Sequence, residues 1–417
     1  MKSLTSLALK SLWSRRAPAV LTVITIGLSI TLLLGVQRIR SEARQSFAST
    51  VSGTDLIVGA RAGAVNLLLY SVFHLGDPTN DLSWQSYEEI RSWPEVAWTV
   101  PLSLGDSHRG HRVVGTTRDF FAHYQYGGRH HLDFVSGAPF QAVHDAVIGA
   151  DVADALAYGL GSRLVLTHGT GAAGISDHDD QPFTVSGILQ RTGTPLDRSI
   201  LVDLRGIEAI HLGWQSGTRL PGRQAQPDQA DLQPKNITAF LVGLNTRTAA
   251  FALQRQINGY ANEPLSAVLP GVALQQLWRL LGPVERTLTL IGAFVVLVGI
   301  VGMVTVLLTT LQQRGREMAV LRAVGARPRH VFGLLVLESA WLSLAGACTG
   351  AAGLYLALWV GGSVAAERWG LHLLLELPTA AEWAVLGASV AAGILAGVVP
   401  AGLAYRRTLA DGLEQHL

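Results

Sequence analysis

Cysteine and lysine are scarce in this sequence, and charge is thin throughout. Of 417 residues one is cysteine, three are lysine and 15% are charged, with a formal net charge of +2. A lone cysteine, Cys348, forms neither an intrachain disulfide nor a Cys-based zinc centre, and within its apolar run it reads as inert packing. A phosphate-cradling Walker loop needs G-x-x-x-x-G-K-[ST], yet Lys2, Lys10 and Lys235 follow methionine, leucine and proline. ATP hydrolysis by that mechanism is excluded for this sequence. Neither a G-x-S-x-G elbow nor a Ser-His-Asp order points to a hydrolase. With so small a net charge there is no global basic field for nucleic acid, and any positive character is local.

What is abundant is apolar. Hydrophobic residues make up 49% of the chain and glycines number 45; the mean hydropathy is +0.31. Soluble domains are rarely so apolar, so the composition indicates a membrane protein. A helix needs about 20 apolar residues to cross the hydrocarbon. Four windows qualify: 17–37, 287–313, 331–366 with Glu338 as its one charge, and 383–405. The first lacks an A-x-A cleavage site and reads as a retained anchor. Basic residues then set orientation. Lys2, Lys10, Arg15 and Arg16 precede the first span, Arg314, Arg316, Arg322, Arg327 and Arg329 separate the second and third, and Arg406 and Arg407 follow the fourth. Segments 1–16, 314–330 and 406–417 are therefore expected in the cytoplasm, with both termini inside, and 38–286 and the short loop 367–382 outside. Arg38, Arg40 and Arg44 fall on the wrong side of this rule, which long translocated domains override.

The expected fold is an α-helical membrane protein with four transmembrane helices and a large α+β extracytoplasmic domain inserted between helices 1 and 2. Short β-rich runs, "HRVVGTTRDFF", "RLVLTHG", "FTVSGILQRTG" and "SILVDL", alternate with the helical patterns "QSYEEIRSW", "ADVADALAYGLG" and "TAAFALQRQINGY". "SGTRLPGRQAQPDQADLQPKN" reads as an exposed loop. At the two ends of 38–286 apolar residues recur every three or four positions: Val36, Ile39, Ala43, Phe47 and Val51 after the first span, and Leu274, Leu277, Leu281, Val284 and Leu288 before the second. These stripes read as stalk helices packing on each other or on a second copy; the other reading is ordinary amphipathic helices lying on the ectodomain. Ten of the 13 histidines lie in the ectodomain, among them His108, His111, His123, His130, His131 and His144, with "SDHDD" around His178. No two form a tight helical ligand pair, so no metal-ligand set is assigned.

Between the second and third windows stands "REMAVLRAVGARPRHVFGLLVLES". Met318, Leu321 and Val324 share one face, Gly325 suits a C-cap, and Pro328 soon follows, so the spacing predicts a short amphipathic helix, a turn and the next span. By pattern alone this is either a helix that docks on another protein or a basic loop that fixes topology. Glu338, a lone carboxylate inside a span, is costly to bury unless paired, with Arg327 or Arg329 as candidate partners.

These residues resemble the signature of the FtsX/MacB-type permeases of ABC systems, an "RExAxLRAxGA" segment before an apolar span with an early glutamate. Arg316, Glu317, Arg322, Ala323, Gly325, Ala326 and Glu338 match it. The four-span layout is similar too, and "VVGTTRDFF", "AVIGADVADALAYGLGSRLVL" and "FTVSGILQRTGTPLDRSILVDL" resemble the family's periplasmic core domain. The resemblance implies that Arg316, Glu317, Met318, Leu321, Arg322, Val324, Gly325 and Glu338 form an ATPase-coupling element, and that Ile39, Ala43, Phe47, Leu274, Leu277 and Leu281 form a stalk. It implies a non-catalytic permease in a bacterial inner membrane. No cofactor is expected on this chain, and ATP and magnesium would sit in a separate ABC ATPase subunit, unlike members with a fused ATPase. Further implied partners are a second permease copy or a paralogue, membrane lipid and a periplasmic protein, but not nucleic acid. Transport or mechanotransmission is the leading expectation; the alternatives are a signalling scaffold that activates a cell-wall hydrolase and a metal-handling ectodomain.

Overall fold

The computed structural model describes residues 2–50, 52–128, 130–169, 181–212, 214–215, 218–219, 232–313, 326–369 and 377–413. The chain divides into two compact units, one of 1–42, 282–364 and 373–417, the other of 43–281 and 365–372.

The first unit is helical. Helix α1 spans Lys2–Ser14 and α2 spans Arg16–Thr50. The long helices that follow the ectodomain in sequence are Pro270–Gln313, Pro328–Trp369 and Ala380–Leu413. Among the described residues four stretches are long and apolar enough to cross a membrane: Arg16–Arg44, Pro270–Leu311, Pro328–Gly362 and Ala380–Arg406. Each exceeds the roughly 20 residues that a bilayer requires. In lipid there is little hydrophobic force between helices, so close backbone approach at small residues and interhelical hydrogen bonds hold them together. The sequence supplies both. A Cβ on Gly350 would lie 2.7 Å from that of Ile30, and the Thr31 hydroxyl donates to the Gly350 carbonyl at 2.9 Å. Ser29 Oγ is 3.2 Å from the Val295 carbonyl, and Gly393 and Gly397 seat Ser343 and Ser339. Ile26, Ile30, Leu34, Met303, Leu307 and Leu342 form the apolar centre. Cys348 faces outward instead of packing within this unit, because its position on the helix points away from that centre.

The second unit is built on an 11-stranded sheet. Its strands, in chain order, are β1 Leu56–Ala60, β2 Val96–His108, β3 His111–Thr116, β4 Phe134–Gly137, β5 Asp145–Ile148, β6 Arg163–Leu164, β7 Thr167–His168, β8 Phe183–Leu189, β9 Ser199–Asp203, β10 Ala239–Leu244 and β11 Leu265–Val268. The spatial order is β11-β1-β10-β2-β3-β9-β5-β8-β4, with β7 beside β2 and β6 beside β8. Pairing is antiparallel except for β9 with β3 and β8 with β5. Successive side chains serve opposite faces, the period-two rule of a strand. In β10, Ala239 and Leu241 enter one apolar cluster while Phe240 and Val242 enter another; in β9, Leu201 faces the first and Ile200 and Val202 a third. Both faces are covered, so these strands read as continuous apolar runs. The covering helices are α3 Ala64–Val72, α4 Trp84–Arg91, α5 Asp119–His123, α6 Ala150–Leu156, α7 Leu204–His211 and α8 Ala250–Asn258. Ser83 caps α4 and Asp203 caps α7, each side chain accepting a hydrogen bond from a first-turn backbone N–H. Much of the expected loop at 216–236 lies outside the described residues. Pro270–Gln313, Pro328–Trp369 and Ala380–Leu413 are hereafter α9, α10 and α11.

Candidate functional site

The proposed coupling residues Arg316, Glu317, Met318, Leu321, Arg322, Val324 and Gly325 lie outside the described residues. Their flanks are defined. Helix α9 is described as far as Gln313, the described residues resume at Ala326, and α10 begins at Pro328, where a missing N–H costs nothing. The Arg327 backbone N–H donates to His330 Nδ1 at 3.0 Å at this helix start. Glu338 is 1% exposed within α10, beside the fully buried Ser339. Of the two expected partners of Glu338, Arg327 and Arg329, helical geometry sets Arg329 aside. Nine residues amount to about two and a half turns, which puts Arg329 and Glu338 on opposite faces. Arg327 and Arg329 are exposed whereas Glu338 is buried.

Among the three arginines that break the charge rule, Arg38 and Arg40 have carboxylate partners. In the first unit Arg38, 3% exposed, lies 3.1 Å from Glu42 and 3.7 Å from Glu382, and Arg40 lies 2.9 Å from Glu285. These pairs tie α2 to α11 and to α9. Glu382 has a second task. Its carboxylate accepts from the Thr379 backbone N–H at 2.6 Å while Thr379 Oγ1 accepts from the Glu382 N–H at 3.3 Å. This is a reciprocal capping box, encoded as T-x-x-E. It starts α11 at Ala380, three residues before the charge-free window opens.

In the second unit the stripe of α2 meets the start of α9 through aromatic rings. Phe47 is tilted against Phe73 at 4.3 Å between centroids and edge-on to Trp278 at 5.7 Å, and the Arg44 guanidinium sits 5.3 Å from the Trp278 ring. Phe47 and Leu274 pack against the main ectodomain cluster. Ala43 and Leu277 are half-buried. Leu281 is 40% exposed and Ile39, in the first unit, 51%. The sequence reading missed Trp278, although it follows Leu274 by four residues and so shares its helical face.

The named histidines that lie among the described residues are individually engaged. His108 bonds the Val165 carbonyl at 2.7 Å and the Tyr158 hydroxyl at 3.0 Å; His111 faces the Arg198 carbonyl; His123 stacks on Trp98; His144 faces Gln181. His130 and His131 form an exposed short strand, and His178 lies outside the described residues. His74 Nδ1 contacts Ser199 Oγ at 2.8 Å, and burial, aided by nearby Arg112, lowers its pKa from 6.5 to about 4. Three residues that no sequence motif singled out do converge. Asp106, His168 and His211 place one ligand atom each within 4.8 Å of one another.

Comparison with known proteins matches two family descriptions. Residues 19–260 match the MacB-like periplasmic core domain and residues 289–411 the FtsX-like permease C-terminal. A pyoverdine export ATP-binding/permease protein PvdT of Pseudomonas syringae pv. tomato is 30% identical over 55% of this chain and 32% of its own length. A macrolide export ATP-binding/permease protein MacB of Nitrosomonas europaea is 21% identical over 96% of this chain and 57% of its own. The chain thus spans only part of the length of these relatives. The solved periplasmic region of MacB from Actinobacillus actinomycetemcomitans aligns at 10% identity with a TM-score of 0.34, covering 54% of this chain and 92% of that one. The chain belongs to the FtsX/MacB-type permease family, and is a multi-pass membrane protein with a large periplasmic domain.

Proposed function

We propose that this chain is the permease subunit of an ABC complex that exports or extracts a substrate, driven by a separate ATPase subunit. The observation that carries this reading is the presence, on one chain, of both family matches together with four helices long enough to span a membrane. The word "export" in the names of both relatives supports an outward direction. The chain sits in a bacterial inner membrane with both termini cytoplasmic, and pairs with a second copy or a paralogue. Magnesium and ATP belong to the ATPase, and a periplasmic protein receives or delivers the substrate. ATP binding draws two 314–330 segments together; helices α2 and α9, which contribute residues to both units, carry the movement to the periplasmic domain. Met318, Leu321 and Val324 form the docking face, with Arg316, Glu317, Arg322 and Gly325 fixing its shape and Glu338 anchoring the helix that follows. Ile39, Ala43, Phe47, Leu274, Leu277 and Leu281 belong to the transmitting stalk.

Two substitutions made side by side test the scheme. Leu321→Asp puts a charge on the docking face, where unpaired burial costs several kcal/mol, and ATPase copurification with the permease should collapse. Phe47→Ser removes an aromatic anchor whose partial burial and ring contacts contribute about 2 kcal/mol. It should leave ATPase docking intact and abolish transport. Intact docking and stimulation in Leu321→Asp would reduce the segment to a topology signal, and full transport by Phe47→Ser would remove the stalk from the mechanism.

A further inference from the structure

We propose that Asp106, His168 and His211 form a binding site for a divalent transition-metal cation of the zinc class. The three residues reach one point from three elements. Asp106 lies in β2 where the register against β3 shifts between Leu104 and Ser107. Gly105 and Asp106 there oppose a single residue, a bulge that re-aims a side chain. Strand β7 pairs with β2 so that His168 stands directly opposite Asp106, and His211 ends α7.

Distances and donor chemistry both suit a metal. His168 Nδ1 is 2.9 Å from Asp106 Oδ1 and 3.3 Å from His211 Nε2. Around a tetrahedral ion with bonds of about 2.0 to 2.1 Å, neighbouring ligand atoms stand roughly 3.3 Å apart. Slight rotations of the two rings would bring the triad to that geometry. Hydrogen bonding alone serves the cluster less well. In the tautomer of His168 that donates from Nδ1 to Asp106, an unprotonated His211 Nε2 has to share that same proton, whereas a cation accepts a lone pair from all three. Asp106 is only 4% exposed, and a buried carboxylate calls for a compensating positive charge. Two imidazoles with one carboxylate favour zinc, cobalt or nickel over the hard magnesium and calcium ions. Three protein ligands leave at least one coordination position open, and the 44% exposure of the His168 side chain gives solvent access.

The test uses the purified full-length chain, stripped with chelator, and zinc(II) alone in isothermal titration calorimetry, with cobalt(II) absorption as a reporter of coordination. One zinc per chain is expected, together with the intense visible bands of four-coordinate cobalt. His211→Ala should weaken zinc at least about ten-fold and bleach those bands. Asp106→Asn should do the same, but it alters a buried position. His211→Ala, at a partly exposed helix end, is therefore the deciding variant, with its folding checked by thermal unfolding. Absence of stoichiometric zinc binding in the unmodified chain would overturn the proposal. So would binding that His168→Ala and His211→Ala both leave unchanged, which would place the ion on other histidines and leave this cluster a hydrogen-bonded dyad with a neighbour.

Discussion

Replacing Glu382 with glutamine separates the two tasks of that side chain. Glutamine keeps an oxygen that can accept from the Thr379 N–H, so the capping box survives, while the charge facing Arg38 is lost. At 3.7 Å and an effective dielectric constant near 20, the lost attraction is about 4.5 kcal/mol before solvation is counted. Glu42, 3.1 Å from the same guanidinium, still compensates it. The net loss should therefore fall below the roughly 3 to 5 kcal/mol seen when a buried charge is left alone, at about 1 to 3 kcal/mol. Thr379→Ala, which removes the cap and spares the charge, should cost about 1 kcal/mol. Both are measured as unfolding free energies of the full chain in detergent. A double-mutant cycle with Arg38→Met should then return a coupling above about 1 kcal/mol. If Glu382→Gln costs less than about 0.5 kcal/mol and the cycle shows no coupling, the pair is screened by solvent despite side-chain exposures of 3% and 5%, and the reasoning fails.

Two further outcomes are expected. Ser199 donates its hydroxyl proton to the Pro195 carbonyl at 2.9 Å, so His74 meets it as a neutral ring donating from Nδ1. With a folded pKa of about 4 against 6.5 unfolded, the unfolded chain takes up a proton first as pH falls. The stability that His74 contributes is complete above pH 6.5, declines as pH drops towards 4 and then levels, a loss of up to about 3 kcal/mol. His74→Asn tolerates the left-handed backbone there, at φ 53°, and should flatten that part of the stability profile; an unaltered profile would clear His74 of the effect. For orientation, a reporter fused after Gly222 should be external and one fused after Ala326 cytoplasmic. A cytoplasmic Gly222 fusion would invert the topology.

Elements defined by local period were legible in the sequence. The helical pattern "QSYEEIRSW" covers α4 except for its first residue, Trp84, "TAAFALQRQINGY" contains α8, and "FTVSGILQRTG" and "SILVDL" contain β8 and β9. The four membrane windows fall within α2, α9, α10 and α11 because length and lack of charge are read directly from the chain. Contacts distant in sequence were not legible. Asp106 and His168 are 62 residues apart and His168 and His211 another 43, joined only because β7 pairs with β2 and α7 ends beside them. Trp278 and the "TAAE" capping box do carry local signals: the first its four-residue offset from Leu274, the second its fixed spacing. A charge-free criterion hides the capping box, because it discards a window edge that contains glutamate.

The arginines that offend the charge rule bear on how the bundle is held in register. A buried ion pair is weak evidence for stability, since desolvating both groups costs nearly what their attraction returns. Its better-attested use is to fix the axial position of one helix against another. The small-residue contacts at Gly350 and Gly397 allow close approach, but interfaces of small residues repeating at one-turn spacing have no strong preference for a single register. Arg38 opposite Glu382 and Arg40 opposite Glu285 remove that freedom, because a slip of one turn, about 5.4 Å, would part Glu382 and Glu285 from these arginines, although Glu42 moves with Arg38. The double variant Arg38→Met with Glu382→Gln distinguishes the two roles. If the pair chiefly stabilises, the double variant is as weak as the worse single variant. If it chiefly sets register, the double variant recovers much of the stability yet loses a unique helix alignment, visible as cysteine cross-linking between α2 and α11 at more than one offset.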